Sequence, residues 1–303
     1  MTMKWRKFGL LFCAEGQRPW LQTHASVPIG EHIADDFYRI YFSARDASNR
    51  AHTGFVVIDL QQPQTVLEVS ERPVLAPGGL GMFDDSGTMA TWLTQAGARR
   101  YLYYVGWNLG VTVPFRNAIG VAISDGNAPF VRYAPGAVVD RSLHEPHFCA
   151  SCCVIKEGEE WHIWYVSCTG WEPHLGGPVH RYHIKYATSD DGIHWQRNGH
   201  IAIDYANENE VAISRPSVLH DADAWKMWYS HRGKGSYRIG YAESADGRHW
   251  LRQDHRSGID VSLSGWDAEM IEYPHVFDHE GQRFMLYNGN GYGRSGFGLA
   301  VLD

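Results

Sequence analysis

Residues 184–197, "IKYATSDDGIHWQR", return almost letter for letter at 239–252 as "IGYAESADGRHWLR". A looser copy, "AIGVAISDGNAPFVRY", begins at Ala118. Each copy joins an alternating apolar segment to an Asp-Gly turn and an aromatic that folds back (Phe130, Trp195, Trp250). Asp-Gly between alternating segments is a strong hairpin signal. Asp190, Asp191, Asp246, His194 and His249 therefore read as turn and surface residues.

Working outward, each copy follows an aromatic-rich strand, and two further strands of that kind lie elsewhere. The set is "YRIYFSAR" from Tyr38, "YLYYVGW" from Tyr101, "WHIWYVSC" from Trp161, "WKMWYSHR" from Trp225 and "RFMLYNGN" from Arg283. They recur at roughly 60-residue spacing, and a shorter strand and turn precede each. The unit reads strand, turn, strand, loop, strand, Asp-Gly turn, strand. Five such units exhaust residues 1–303, and no segment carries a long helical period. The expected fold is all-β: one five-bladed β-propeller domain with four-stranded antiparallel blades. "KWRKFGLLF" near the start is expected to complete the last blade beside "FGLAVLD" at the end.

Composition narrows the function. The net charge is −7, and no Lys/Arg block occurs, which speaks against a nucleic-acid partner. Five cysteines without regular spacing do not form a disulfide framework, so a cytoplasmic setting is expected. The start "MTMKWRKFGLLFCAEG" imitates a secretory leader, but its apolar run is short. No stretch approaches the roughly 20 apolar residues of a membrane span, so no membrane partner is expected.

In a propeller the first strand of each blade lines the central channel, so chemistry is expected just before and within those strands. They are preceded by "LQTHASVP", "FDDSGTMA", "LHEPHFCAS", "NENEVAISRP" and "DAEMIEYP". Asp84, Asp85, Glu145, Glu210 and Glu272 recur there, with His24, His147, Arg215 and His275 alongside. Acids converging on one axis would push their pKa values apart and so create an acid and a base. Asp85, Glu145, Glu210 and Glu272 are the candidate catalytic residues. Asp84, His24, Arg45, Trp107, His147, Trp171, Arg215, His231 and His275 are the candidate ligand-binding residues. Arg215 would suit a carboxylate or phosphate through its fork.

Each has a plainer alternative: Asp85 as a turn cap, Glu210 and Glu272 as salt-bridge partners of Arg215, and Arg215 as a strut between blades. "HEPHFCASCC" suggests zinc, but Cys149 and Cys152 fall on opposite strand faces. His24, His147, His231 and His275 converging on the axis would suit a divalent metal; no other cofactor is implied. "GNGYG" from Gly289 lacks a following helix and reads as a turn rather than a phosphate loop. The long excursions "GWNLGVTVPFRNA" and "CTGWEPHLGGPVHRYH" are expected to fold over the channel mouth and enclose a small pocket.

The "SRPSV" start of blade four and the "YAxSxDGxHW" hairpins resemble the five-bladed arabinanase, invertase and levansucrase superfamily of carbohydrate-active enzymes. "RIYFSARD", "FDDSGTM", "YYVGWNLGVTVPFRNAIGVAIS", "EMIEYPHVF" and "MLYNGNGYG" bring the chain nearer to poorly characterised hydrolase-like proteins of bacterial polysaccharide gene clusters. The resemblance implies cleavage or transfer of a small glycoside or sugar-containing metabolite by axial carboxylates. Their usual order is an Asp in blade one, an Asp in blade two and a Glu in blade three. Asp84 or Asp85 and Glu145 match the latter two, but blade one offers His24 where the first acid belongs. Either the carboxylates are redistributed to Glu210 and Glu272, or the chemistry differs: a lyase, cyclase or isomerase, or a non-catalytic sugar-binding protein.

Overall fold

The structure is a computed structural model that describes residues 3–303. First in the chain comes β1 (Trp5–Phe12). The next group is β2 (Thr23–Ala34), β3 (Phe37–Arg45), β4 (Ala51–Asp59) and β5 (Val66–Val69). There follow β6 (Gly87–Ala96), β7 (Arg99–Leu109), β8 (Phe115–Asp125) and β9 (Val131–Arg132). The third group is β10 (Cys149–Glu157), β11 (Glu160–Glu172), β12 (Val179–Ser189) and β13 (Ile201–Ile203). The fourth is β14 (Ala212–His220), β15 (Trp225–Arg232), β16 (Arg238–Ser244) and β17 (Leu251–Arg252). Last come β18 (Glu272–His279), β19 (Gln282–Asn288) and β20 (Phe297–Leu302).

Within each group consecutive strands pair antiparallel, and β1 pairs antiparallel with β20, as the sequence led us to expect. Single parallel residue pairs, Ala51 with Gly87 and Tyr182 with Ala212, join neighbouring groups into two eight-stranded sheets. The first strands β2, β6, β10, β14 and β18 lie side by side in that order, and β18 also lies against β2. The aromatic second strands are buried on both faces because groups stack face to face; in β11, Trp161 to Cys168 is buried throughout.

The repeated phrase is now explained. Asp191 caps its turn by accepting from the backbone N–H groups of Ile193 and His194, and Asp246 does the same for Arg248 and His249. The Gly192 carbonyl then accepts from the Tyr103 hydroxyl (2.8 Å), and the Gly247 carbonyl from Trp164 Nε1 (2.8 Å), both one group upstream. Trp195 packs on Tyr103, Trp250 on Trp164 and Phe130 on Tyr41. Gly192 is required here: its φ is +74°, and a Cβ would lie 2.8 Å from Trp161 and 2.9 Å from the Tyr103 hydroxyl. Each hairpin is thus a wedge fastening its group to the previous one.

Every first strand is broken near its start by a register shift against its partner, at Val27–Pro28, Thr91, Ser151, Arg215–Pro216 and Tyr273–Pro274. Val27 (φ 55°), Arg215 (52°) and Tyr273 (55°) are left-handed, although each precedes a proline that favours extended backbone. Asn288 Oδ1 accepts the Val27 N–H (2.8 Å), and Ser230 Oγ accepts the Tyr273 N–H (2.7 Å), holding two of these strained turns.

Candidate functional site

A cavity of about 310 Å³ opens where these shifts occur. Met89, Ser151, Ser214 and Tyr273 come from the starts of first strands, Arg45 and Arg232 from the ends of β3 and β15. Phe115 and Asn117 enter from the β7–β8 extension, His180 and Tyr182 from the β11–β12 extension. The two expected excursions are therefore largely paired strand, and both supply cavity wall. They brace each other through Phe115 and Trp171, whose ring centroids are 5.5 Å apart. Tyr182 and Tyr237 line the cavity and are hydrogen-bonded hydroxyl to hydroxyl. Tyr292, from the "GNGYG" turn, completes the wall.

The acids expected on the axis are not brought together. Asp84 is fully buried 2.8 Å from Arg132, with the Tyr104 hydroxyl donating to it (3.3 Å). Glu145 pairs with Lys185 (3.2 Å) and Arg197 (3.2 Å) and accepts from Tyr165 (3.1 Å) and from Ser142. Glu210 receives both guanidinium nitrogens of Arg252 (2.6 and 2.9 Å) and lies 3.0 Å from His231 Nδ1. Asp267, unremarked in the sequence, meets Lys7 (2.7 Å) and the Tyr287 hydroxyl (3.1 Å). The design repeats: a buried acid ahead of the first strand is neutralised by a base of its own group, in three cases with a second-strand tyrosine. The cause is electrostatic, since a buried carboxylate is tolerable only when paired. Asp85 is a turn cap for Gly81 and Ser86.

Burial alone would raise the Glu210 carboxyl; Arg252, His231 and the Ala206 N–H outweigh it and hold it at about 2. Its stabilisation is thus present above the unfolded value of 4.5 and lost as pH falls towards 2. Glu210→Gln is expected to cost about 3 kcal/mol at pH 7 by leaving Arg252 partly uncompensated. In urea unfolding at stepped pH, the gap to the wild type should close between those two pH values. A gap constant with pH would refute the ion-pair account.

Glu272 is different. It is fully buried, neither carboxylate oxygen has a hydrogen-bond partner, and burial pushes its pKa well up, against the pull of Arg232. Its surroundings are the cavity-lining Arg232, Tyr182, Tyr237 and Tyr273.

Of the other expected residues, Arg45 lines the cavity, and Arg45 and Trp107 together line an adjoining recess, the guanidinium 5.4 Å from the indole centroid. His147 lines a second recess that shares Asn117 with the cavity. Trp171 backs the wall. His24 is held at about 4 by burial, Arg45 and Arg294. Arg215 and His275 lie in the centre rather than among the lining residues. Arg215 Nη2 donates to the Pro28 carbonyl (3.3 Å), and its guanidinium sits 5.5 Å from the Trp92 ring, which in turn meets His275 at 5.0 Å. The expected pairing of Glu210 or Glu272 with Arg215 does not occur.

The four histidines considered for a metal do not converge. Among the described residues, the one group with donor atoms close enough is Asp36, His279 and Glu280, at the far turns of the first strands. The cysteines are free, and Cys149, Cys152 and Cys153 are buried with their thiol pKa values raised by burial.

Sequence reasoning missed Arg232, Tyr182, Tyr237 and Tyr273, whereas Tyr292, a loop aromatic suited to stacking on a sugar ring, does line the cavity. Two signals were available. Arg45 and Arg232 close the matching strands "YRIYFSAR" and "WKMWYSHR", and Tyr182 and Tyr237 each stand two residues before the repeated phrase.

This all-β arrangement is that of the β-propeller glycoside hydrolases. A glycosyl hydrolase from Bacteroides ovatus superposes with a TM-score of 0.74 at 13% identity, covering 99% of this chain and 94% of its own. A thermostable family-43 glycoside hydrolase gives 0.66 at 17% identity, covering 93% and 88%. No family model matches the sequence. The chain is 46% identical over 301 residues to uncharacterized protein Rv1502 of Mycobacterium tuberculosis, covering 99% of this chain and 100% of the relative. It belongs to the same family as that protein. Among the described residues, no helix is long and apolar enough to cross a membrane.

Proposed function

We propose that residues 1–303 form a single five-bladed propeller domain and that it is a glycosidase-like enzyme acting on a small sugar-containing ligand in the cavity. The ordered approach of the first strands, with β18 beside β2, supports the blade count. The cavity's size and its mixture of aromatic faces with a few polar groups suit a compact sugar. The observation that carries the catalytic reading is Glu272, a fully buried carboxyl with no hydrogen-bond partner, whose pKa burial pushes well up. A protonated carboxyl is what departure of a glycosidic oxygen requires. Tyr182 and Tyr237, bonded to each other on the cavity wall, both feel the charge of Glu272 but are not hydrogen-bonded to it, so passage of its proton to a ligand requires a hydroxyl to turn towards the acid.

The test is turnover of an alkyl and aryl glycoside panel by wild type and Glu272→Gln, with calorimetric binding measured beside it. Loss of roughly 100-fold or more in turnover of alkyl glycosides, with binding retained, is expected. Equal turnover by the variant would remove Glu272 as proton donor. Binding by the wild type with no turnover of any glycoside would make this a sugar-binding protein instead.

A further inference from the structure

We infer that the cavity's ligand is an acidic sugar, whose oxyanion is held by Arg45 and Arg232. The inference rests on the carbohydrate reading of the cavity and specifies its substrate class.

Arginines anchored inside this molecule are paired with acids almost everywhere. Arg100 meets Glu31 (2.7 Å), Arg132 meets Asp84 (2.8 Å), Arg197 meets Glu145 (3.2 Å) and Arg252 meets Glu210 (2.6 Å). Among the described residues that are not exposed, Arg18, Arg45, Arg215 and Arg232 belong to no ion pair, and of these only Arg45 and Arg232 face the cavity. Arg45 donates only to the side chain and carbonyl of Asn49, and Arg232 Nε is buried with no acceptor. Both are partly buried and both face one cavity, from β3 and β15. Two desolvated guanidinium groups without counter-ions are a standing cost unless a ligand supplies the negative charge.

The rest of the wall agrees. It contains no Asp or Glu. His180 is held at about 4 by burial and by Arg232, so it is neutral. Burial pushes the Tyr182 hydroxyl up to about 12 and the Tyr237 and Tyr273 hydroxyls well up, so these are protonated donors. Glu272, whose pKa burial pushes well up, lies beyond ion-pair distance of Arg232 and has no hydrogen-bond partner, so no salt bridge between them neutralises the site. Cations and hydroxyl donors without a competing carboxylate recognise an oxyanion, and an arginine fork fits a carboxylate or phosphate. Ser151, Ser214 and Asn117 remain for sugar hydroxyls, and Phe115 and Phe148 for the apolar face of a ring.

The experiment is calorimetric titration of the full chain with galacturonate, glucuronate and glucose 6-phosphate, and with galactose, glucose and inorganic phosphate as references. Acidic sugars should bind at least tenfold tighter than their neutral parents, with affinity falling as salt rises. The uronates and the sugar phosphate distinguish a carboxylate from a phosphate as the group held. Arg45→Gln and Arg232→Gln should each remove most of that preference, lowering the affinity for acidic sugars far more than that for their neutral parents. Arg45→Lys and Arg232→Lys, which keep the charge, should retain part of it. Equal binding of acidic and neutral sugars would overturn the inference yet leave the carbohydrate reading standing. Phosphate binding lost in the arginine variants, with no sugar bound, would keep the anion site but remove the sugar. Absence of saturable binding by any sugar, acidic or neutral, and by phosphate would overturn both.

Discussion

Glu272→Gln is expected to be more stable than the wild type at neutral and alkaline pH and indistinguishable from it at pH 4. The carboxyl is fully enclosed, and burial raises its pKa well above 4.5. A group with a raised folded-state pKa stabilises fully below its unfolded pKa and progressively less as pH climbs towards the folded value. The wild type therefore loses stability relative to the isosteric amide above about pH 4.5, by up to roughly 1.4 kcal/mol per pH unit. Urea unfolding of both proteins between pH 4 and pH 9 measures the difference directly. A difference independent of pH would mean that the folded protein holds Glu272 ionised, which removes the proton-donor role as well. The gain in stability should accompany the loss of turnover, as expected where a strained or unpartnered group serves chemistry.

Arg215→Ala should be the most damaging substitution away from the cavity, costing about 3–5 kcal/mol. The side chain is entirely buried and rises from a left-handed turn in β14. It reaches Pro28 of β2 and Trp92 of β6, and its field is felt by Cys152 and Cys153 of β10 and His275 of β18. Burial lowers its own pKa to about 10, so it stays charged at neutral pH without a carboxylate beside it. Alanine would empty the place where the first strands meet. Methionine keeps most of the volume and removes the unpaired charge, so Arg215→Met should stay within roughly 1.5 kcal/mol of the wild type. Unfolding curves of the two variants decide the matter; an alanine cost under about 1 kcal/mol would show that Arg215 does not fill the centre.

The strand pattern was legible because its causes are local. Alternating aromatic and aliphatic residues, Asp-Gly turns and a recurring unit need no distant partner to be read, and so the strand order and the β1–β20 pairing could be anticipated. The roles of the charged residues were not legible in the same way. Asp84, Glu145 and Glu210 precede first strands as expected, yet the bases that claim them, Arg132, Arg197 and Arg252, come roughly 40–50 residues later, on or beside the outer strands. Which acid is paired and which is left bare is settled only when those strands fold back. Side-chain direction was hidden too. Alternation predicts facing only while the register holds, and each first strand shifts register at the cavity, with left-handed turns at Val27, Arg215 and Tyr273. Those shifts turn Tyr273 to the cavity and Arg215 to the centre. From the sequence alone came the repeated sheets and, among many candidates, Arg45 and Glu272; tertiary packing added Arg232 and decided which buried charges are paired, leaving Arg45, Arg232, Glu272 and the central Arg215 without a charged partner.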